Sequence, residues 1–187
     1  MKSRGWKLIA RDTVSGTTTT SIIRTNPEAF PNYSQLWIRL YARSDVSAYY
    51  DNLYFYVYTG DPATKVTSGY HSAAVYSTST TRSWSTTTGA AQCGGWMPIT
   101  GASATANFFG NVDIRIPKAN DATYRHVWES TGYAANNSTS SGYTAYAKQY
   151  AAHTGTGSIT GIEVKCGASN NFVAGSKLDI YGYTADS

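Results

Sequence analysis

QLWIRLYAR, residues 35–43, alternates apolar and polar side chains with a period of two. Leu36, Ile38, Leu40 and Ala42 fall on one side, and Trp37, Arg39, Tyr41 and Arg43 on the other. An extended strand sends successive side chains to opposite faces, whereas a helix would scatter both sets around its axis. The stretch reads as a half-buried strand, and the same signature recurs along the chain. NLYFYVY (52–58) sets Leu53, Phe55 and Val57 against Tyr54, Tyr56 and Tyr58. NVDIRIP (111–117), ITGIEVKC (159–166) and KLDIY (177–181) repeat it. Fainter alternation covers 6–12, 18–25, 70–77, 124–131 and 143–150. AYAKQYAA (145–152) is the one place where a short helix or turn competes.

Gly, Pro, Ser and Asn breaks separate these segments, as in TGDPATK (59–65), where Pro62 presets φ and Asp61 favours a turn. About ten short strands with such spacing make an all-β antiparallel fold, a sandwich or a jelly roll. We expect one domain over residues 1–187, with residues 1–5 as an N-terminal arm. One segment lacks any apolar period: STSTTRSWSTTTGAAQCGGW (77–96) reads as a long Ser/Thr/Gly-rich loop.

Charged residues make up 14% of the chain, well below the usual ~25%, so the polar surface must come from Ser, Thr, Asn and Gly. The net charge of +4 is spread out, unlike the concentrated patch of a dedicated nucleic-acid binder. Sixteen tyrosines and five tryptophans suit a β-rich chain that presents large surfaces to partners. No stretch approaches the ~20 apolar residues of a membrane span. MKSRGWKLIARD has no long apolar run of a secretory signal, so folding in a cytoplasm is expected.

A search for chemistry finds little. His71, His126 and His153 lack metal-ligand spacing, and no cofactor motif is present. Cys93 and Cys166 read as two non-catalytic thiols, with a disulfide left open. A glycosidase needs only two carboxylates, so Glu129 and Glu163 form the residual hydrolase candidate. The glycosylation sequon in NNST has no meaning without secretion.

The outward rows are the remaining lead. Trp37, Arg39, Tyr41 and Arg43 form one aromatic–basic row, and Tyr54, Tyr56 and Tyr58 form another on a strand expected beside it. Exposed aromatic area marks interaction sites, and Trp, Tyr and Arg dominate interface hot spots. A partner subunit, stacked sugar rings, stacked bases of single-stranded nucleic acid and burial on both sides all fit such rows.

Four stretches occur in a recognisable order: GWKLIARDTVSGTTTTSI (5–22), YSQLWIRLYARS (33–44), VDIRIPKANDATYRHV (112–127) and GSITGIEVKCGASNNFVAGSKLDIYGY (157–183). Together they resemble a group of small jelly-roll virion structural proteins of tailed bacteriophages. That group opens on a Trp-containing strand and an SG turn, and closes on Asn-Phe-x-Ala-Gly and an apolar strand ending in Tyr-Gly. The resemblance implies a non-enzymatic protein of the particle, without cofactor. The implied role is capsid cement or decoration, assembled as a homotrimer on the major capsid protein at the outer surface of the head. Head-fibre and tail positions belong to the same group, and a glycan-binding receptor module of a tail fibre or tailspike is the alternative. The closing motif comprises Trp6, Phe172, Gly175, Leu178, Ile180 and Gly182, with the last strand expected beside the first and Asn170–Asn171 as its turn.

Overall fold

The architecture was read from a computed structural model, which describes residues 5–16, 19–26, 28–78, 81–135 and 144–184. In chain order the strands are β1 (Gly5–Thr13), β2 (Ser21–Thr25), β3 (Gln35–Ala42), β4 (Tyr50–Thr59), β5 (Thr64–Lys65), β6 (Tyr70–Thr78) and β7 (Thr81–Ala90). They continue with β8 (Cys93–Thr100), β9 (Gly110–Pro117), β10 (Val127–Ala135), β11 (Thr144–His153), β12 (Ile159–Cys166) and β13 (Lys177–Thr184). The one helical element among the described residues is a 3-10 turn at Phe30–Asn32.

Eight of these strands build a jelly roll. One sheet contains the order β1-β13-β3-β9, and the other β2-β12-β4 with β8 on the far side of β4. The links β1–β2, β3–β4, β8–β9 and β12–β13 each cross from one sheet to the other, and all the pairings are antiparallel. That double wrapping is the jelly-roll connectivity. Two further stretches of chain, between β4 and β8 and between β9 and β12, supply β6, β7, β10 and β11. All four join the same edge, so one sheet grows to eight strands in the order β1-β13-β3-β9-β10-β11-β6-β7. The other stops at five, with β5 as a short addition beside β4.

The period-two pattern explains the core. Leu36, Ile38 and Leu40 pair across β3 with Ile116, Ile114 and Val112 on β9, and with Gly182, Ile180 and Leu178 on β13. Apart from the glycine, these side chains are almost wholly buried against Phe55, Val57, Ile162 and Val164 of the opposite sheet. Burying each such side chain contributes about 1.5–3 kcal/mol, an upper estimate for a chain already partly collapsed when unfolded.

The expected loop at 77–96 is corrected: β7 and β8 occupy most of it. Thr is β-branched and favours extended backbone, but β7 has no apolar face to announce it. Residues 79–80 lie outside the described ones, as do the NNST sequon and residues 1–4 of the expected arm; Gly5 already belongs to β1. The helix alternative at 145–152 is also corrected, because β11 is a strand with Ala145, Ala147, Gln149 and Ala151 inward.

The closing segment behaves as the sequence predicts in its main lines. β13 pairs with β1 from Gly5↔Thr184 to Thr13↔Lys177, with one register slip between Leu8 and Ala10. Phe172 is fully buried and bridges Thr19 and Ser44. The turn itself is centred two residues earlier than expected: Asn170 donates its N–H to Gly167 O, and Ala168 takes the positive φ. Asn170 and Asn171 instead anchor the turn, their side-chain amides donating to Asp51 at 3.0 Å and Asp45 at 2.8 Å. Gly175 has φ +90°, the left-handed region that favours glycine. Gly182 lies under Tyr33, where a Cβ would sit 2.3 Å from the ring.

Candidate interaction face

The outer face of the eight-stranded sheet can be laid out from pairing alone. One row runs Leu8, Tyr181, Trp37, Arg115, Glu129, Tyr150, Ala73, Thr86 from β1 to β7. The next runs Arg11, Asp179, Arg39, Asp113, Thr131, Lys148, Val75, Trp84. A third passes through Lys177, Tyr41, Asn111, Tyr133 and Tyr146. Trp6, Leu8, Tyr41, Val75, Trp84, Val127, Tyr133, Tyr146 and Tyr150 are all among the most exposed large apolar side chains, and all stand on this face. Trp84 is the most open, at 73% exposed.

The charges on the face are mostly neutralised within it. Arg11 forms a two-pronged pair with Asp179 at 2.7 and 2.8 Å, and this carboxyl is held below its ordinary range by the guanidinium. Asp113 accepts from Trp37 Nε1 at 2.8 Å and pairs with Arg39 at 3.4 Å. Lys148 reaches Glu129 at 3.6 Å. Arg39 and Arg115 flank the Trp37 ring, at 4.9 and 5.2 Å from its centre, and Trp6 meets it edge-on at 5.8 Å. Exposed pairs of this kind add little stability, but they leave an aromatic surface with a weak net field.

The face is not flat. A trough of about 750 Å³ crosses it, with Trp6, Gln35, Arg115, Glu129, His71, Thr86 and Tyr150 among its lining. A second hollow of about 460 Å³ adjoins it between Trp84, Val75, Tyr146, Lys148 and Tyr150.

Of the residues singled out from sequence, Trp37, Arg39 and Tyr41 lie on this face; Trp37 is partly covered by its neighbours and Tyr41 stacks on Phe109 at 4.9 Å. Arg43 does not. Regular pairing of β3 ends at Ala42, the alternation stops there, and Arg43 is buried beneath the loop 101–109. Its guanidinium donates to four backbone carbonyls, Thr105 at 2.6, Ala102 at 2.9, Ala104 at 2.9 and Phe108 at 3.4 Å, and burial lowers its pKa.

Tyr54, Tyr56 and Tyr58 are not beside β3 either, because the chain crosses to the other sheet between β3 and β4. Their row is largely covered rather than open. Lys65 sits 3.6 Å above the Tyr56 ring and pairs with Glu163 at 2.7 Å, while Tyr58 donates to Glu163 at 3.1 Å. Burial and then the Glu163 charge push the Tyr58 hydroxyl up to about 12.

Glu163 is therefore a buried, paired carboxylate on the outer side of the five-stranded sheet, whereas Glu129 stands on the outer side of the other. The two do not face each other. Cys93 and Cys166 are both buried free thiols. Among the described residues, no three His, Cys, Asp or Glu side chains converge to hold a metal ion, and no helix is long and apolar enough to cross a membrane.

The residues that sequence reading missed are Trp84, Tyr133, Tyr146, Tyr150 and Val75. Trp84, Tyr133 and Tyr146 alternate with Ser, Ala or Gly, and Tyr150 and Val75 each have an Ala on one side, so the inward partners are mostly too small or too polar to register as an apolar row. No family model, curated protein or solved structure matches the chain.

Proposed function

We propose that this chain is a non-enzymatic structural protein of a phage particle, a cement or decoration protein that grips the assembled head through the outer face of its eight-stranded sheet. The observation that carries the reading is the gathering of six of the eight most exposed aromatic side chains among the described residues on that single face, with its charges mostly paired internally. Seven strand spacings of about 4.8 Å and three two-residue steps of about 6.8 Å outline roughly 700 Å², close to the ~800 Å² per partner of a stable protein contact. The resemblance noted from the sequence is what supports a virion context and a place on the outer surface of the head.

Binding an assembled shell but not its free subunits stabilises the shell by mass action. Holding several copies together raises the effective concentration of each weak contact. The test is co-sedimentation with purified heads. Trp84→Ser and Tyr150→Ser should abolish retention on the heads while leaving the melting temperature unchanged, since neither side chain supports the core. Undiminished occupancy by the double variant would sink the assignment.

A second reading, recognition of a host-surface glycan, is favoured by the trough. It combines flat rings with hydrogen-bonding Arg115, Glu129, His71 and Thr86, a set suited to saccharide hydroxyls. It requires the trough to stay open to solvent in the particle. Binding on a glycan array that vanishes in Tyr150→Ala would support it over the first.

A further inference from the structure

The eight-stranded sheet ends in two edges that differ in kind. At β1 the register slips between Leu8 and Ala10, and the strand carries Lys7, Arg11 and Asp12. Bulges and charges of this sort keep an edge from recruiting another strand. At the other end, among the described residues, β7 pairs with β6 alone; its ladder is unbroken from Thr81↔Thr78 to Thr87↔Ser72 and slips only beyond, between Thr87 and Ala90. Its single charge is Arg82, it contains no proline, and Ser83 to Ala90 holds Ser, Thr, Trp, Gly and Ala only.

Among the described residues this strand is only lightly covered on either side. Trp84, Thr86 and Thr88 are exposed on the outer face, and Ser83, Ser85 and Thr87 are only half-buried on the inner one. No β7 side chain belongs to the buried core, and Ala90 alone packs partly against it. Over Thr81–Thr87 β7 is a regular, nearly uncharged edge with its outer row of backbone N–H and C=O groups open, a template for strand pairing.

We propose that β7 pairs antiparallel with β7 of a second copy of this chain, about a two-fold axis at Ser85, so that two eight-stranded sheets join into one. In that register Trp84 lies opposite the second copy's Thr86, and Ser83 opposite its Thr87. Aromatic–β-branched and hydroxyl pairs of this type are favourable across antiparallel strands. The two Trp84 rings become diagonal neighbours at about 7–8 Å, within reach of each other. Arg82 meets Thr88 rather than its own image, so no like charges oppose.

A two-fold contact needs only one surface and closes on itself. The trimer implied by the resemblance would instead have to seat β7 against the bulged, charged β1 if it formed through this sheet. The inference shares Trp84 with the face assigned to shell binding, so its test is placed at Ser85 on the inner side of β7, which separates failure of the pair from failure of shell binding.

Sedimentation velocity on the full chain at micromolar concentration tests it. The wild type should run as a two-chain particle. Ser85→Lys and Ser85→Glu should each raise the dissociation constant at least tenfold, because like charges then face across the axis, and mixing the two variants should restore the pair. Hydrogen exchange should show 81–87 amides gaining protection with concentration in the wild type but not in Ser85→Lys. A wild type that stays monomeric, an oligomer that survives Ser85→Lys unchanged, or folded variants that fail to associate when mixed would each overturn the proposal.

Discussion

Arg43 offers the sharpest test of how the end of the sandwich is held. Its guanidinium is enclosed by the loop 101–109 and donates to the carbonyls of Ala102, Ala104, Thr105 and Phe108. Arg43→Met keeps much of the stem's volume and removes every one of those donors. Each buried acceptor left unpaired costs about 1 kcal/mol or somewhat more, while relief of the cation's desolvation offsets part of the sum. The net loss should be about 2–4 kcal/mol. For a domain of this length that lowers Tm by about 5–15 °C. Arg43→Lys keeps the charge but cannot span four acceptors, so it should recover only part of the loss. Thermal melts followed by circular dichroism measure the difference, and hydrogen exchange should show the loop 101–109 opening first. A methionine variant that melts with the wild type would refute the reasoning, because it would mean that water satisfies those carbonyls as well as the guanidinium does.

Gly182→Ala should cost about 1–3 kcal/mol, since its Cβ would lie 2.3 Å from the Tyr33 ring; Tyr33→Ala in the same chain should remove most of that increment in denaturant titrations. His153 is buried, and burial followed by the nearby His126 lowers its pKa below the ordinary value of 6.5. The unfolded chain therefore binds the proton more readily, so stability is full above about pH 6.5 and falls as pH drops through the lowered folded value. Melting temperatures measured from pH 8 to pH 5 should show this decline, and His153→Gln should flatten the larger part of it. Burial pushes the Cys93 thiol up to about 12 and raises Cys166 as well. Neither should react with a thiol reagent until the protein unfolds, and fast labelling of the native chain would contradict that.

The strands of the jelly roll were legible in the sequence because each has one face in the core and one in water. β3, β9 and β13 alternate so cleanly that their pairing partners share a pattern. β7 escaped because it has no buried face: an edge strand with solvent on both sides needs no apolar row, and Thr and Ser satisfy it. The outward face was read half correctly for a related reason. Periodicity says which residues share a side, not which sheet a strand joins or what lies above it. Trp37, Arg39 and Tyr41 stand where their alternation puts them, yet the tyrosines of β4 point away on the opposite sheet under Lys65 and Gln92. Arg43 was misplaced because a strand's alternation ends with its pairing, and nothing in IRLYAR marks Ala42 as the last paired residue.

The two stretches that lengthen one sheet both attach beyond β9, on the side away from β1. The described ends of the chain, Gly5 and Thr184, face each other at β1 and β13. About seven strand spacings, roughly 34 Å, separate β1 from β7. The molecule thus has a tethering flank and a free flank. A polypeptide joined before Gly5 or after Thr184 would leave from one side and keep clear of the Trp84 strand on the other. A reporter fused at either terminus would accordingly move with the molecule without shielding the edge proposed for strand pairing.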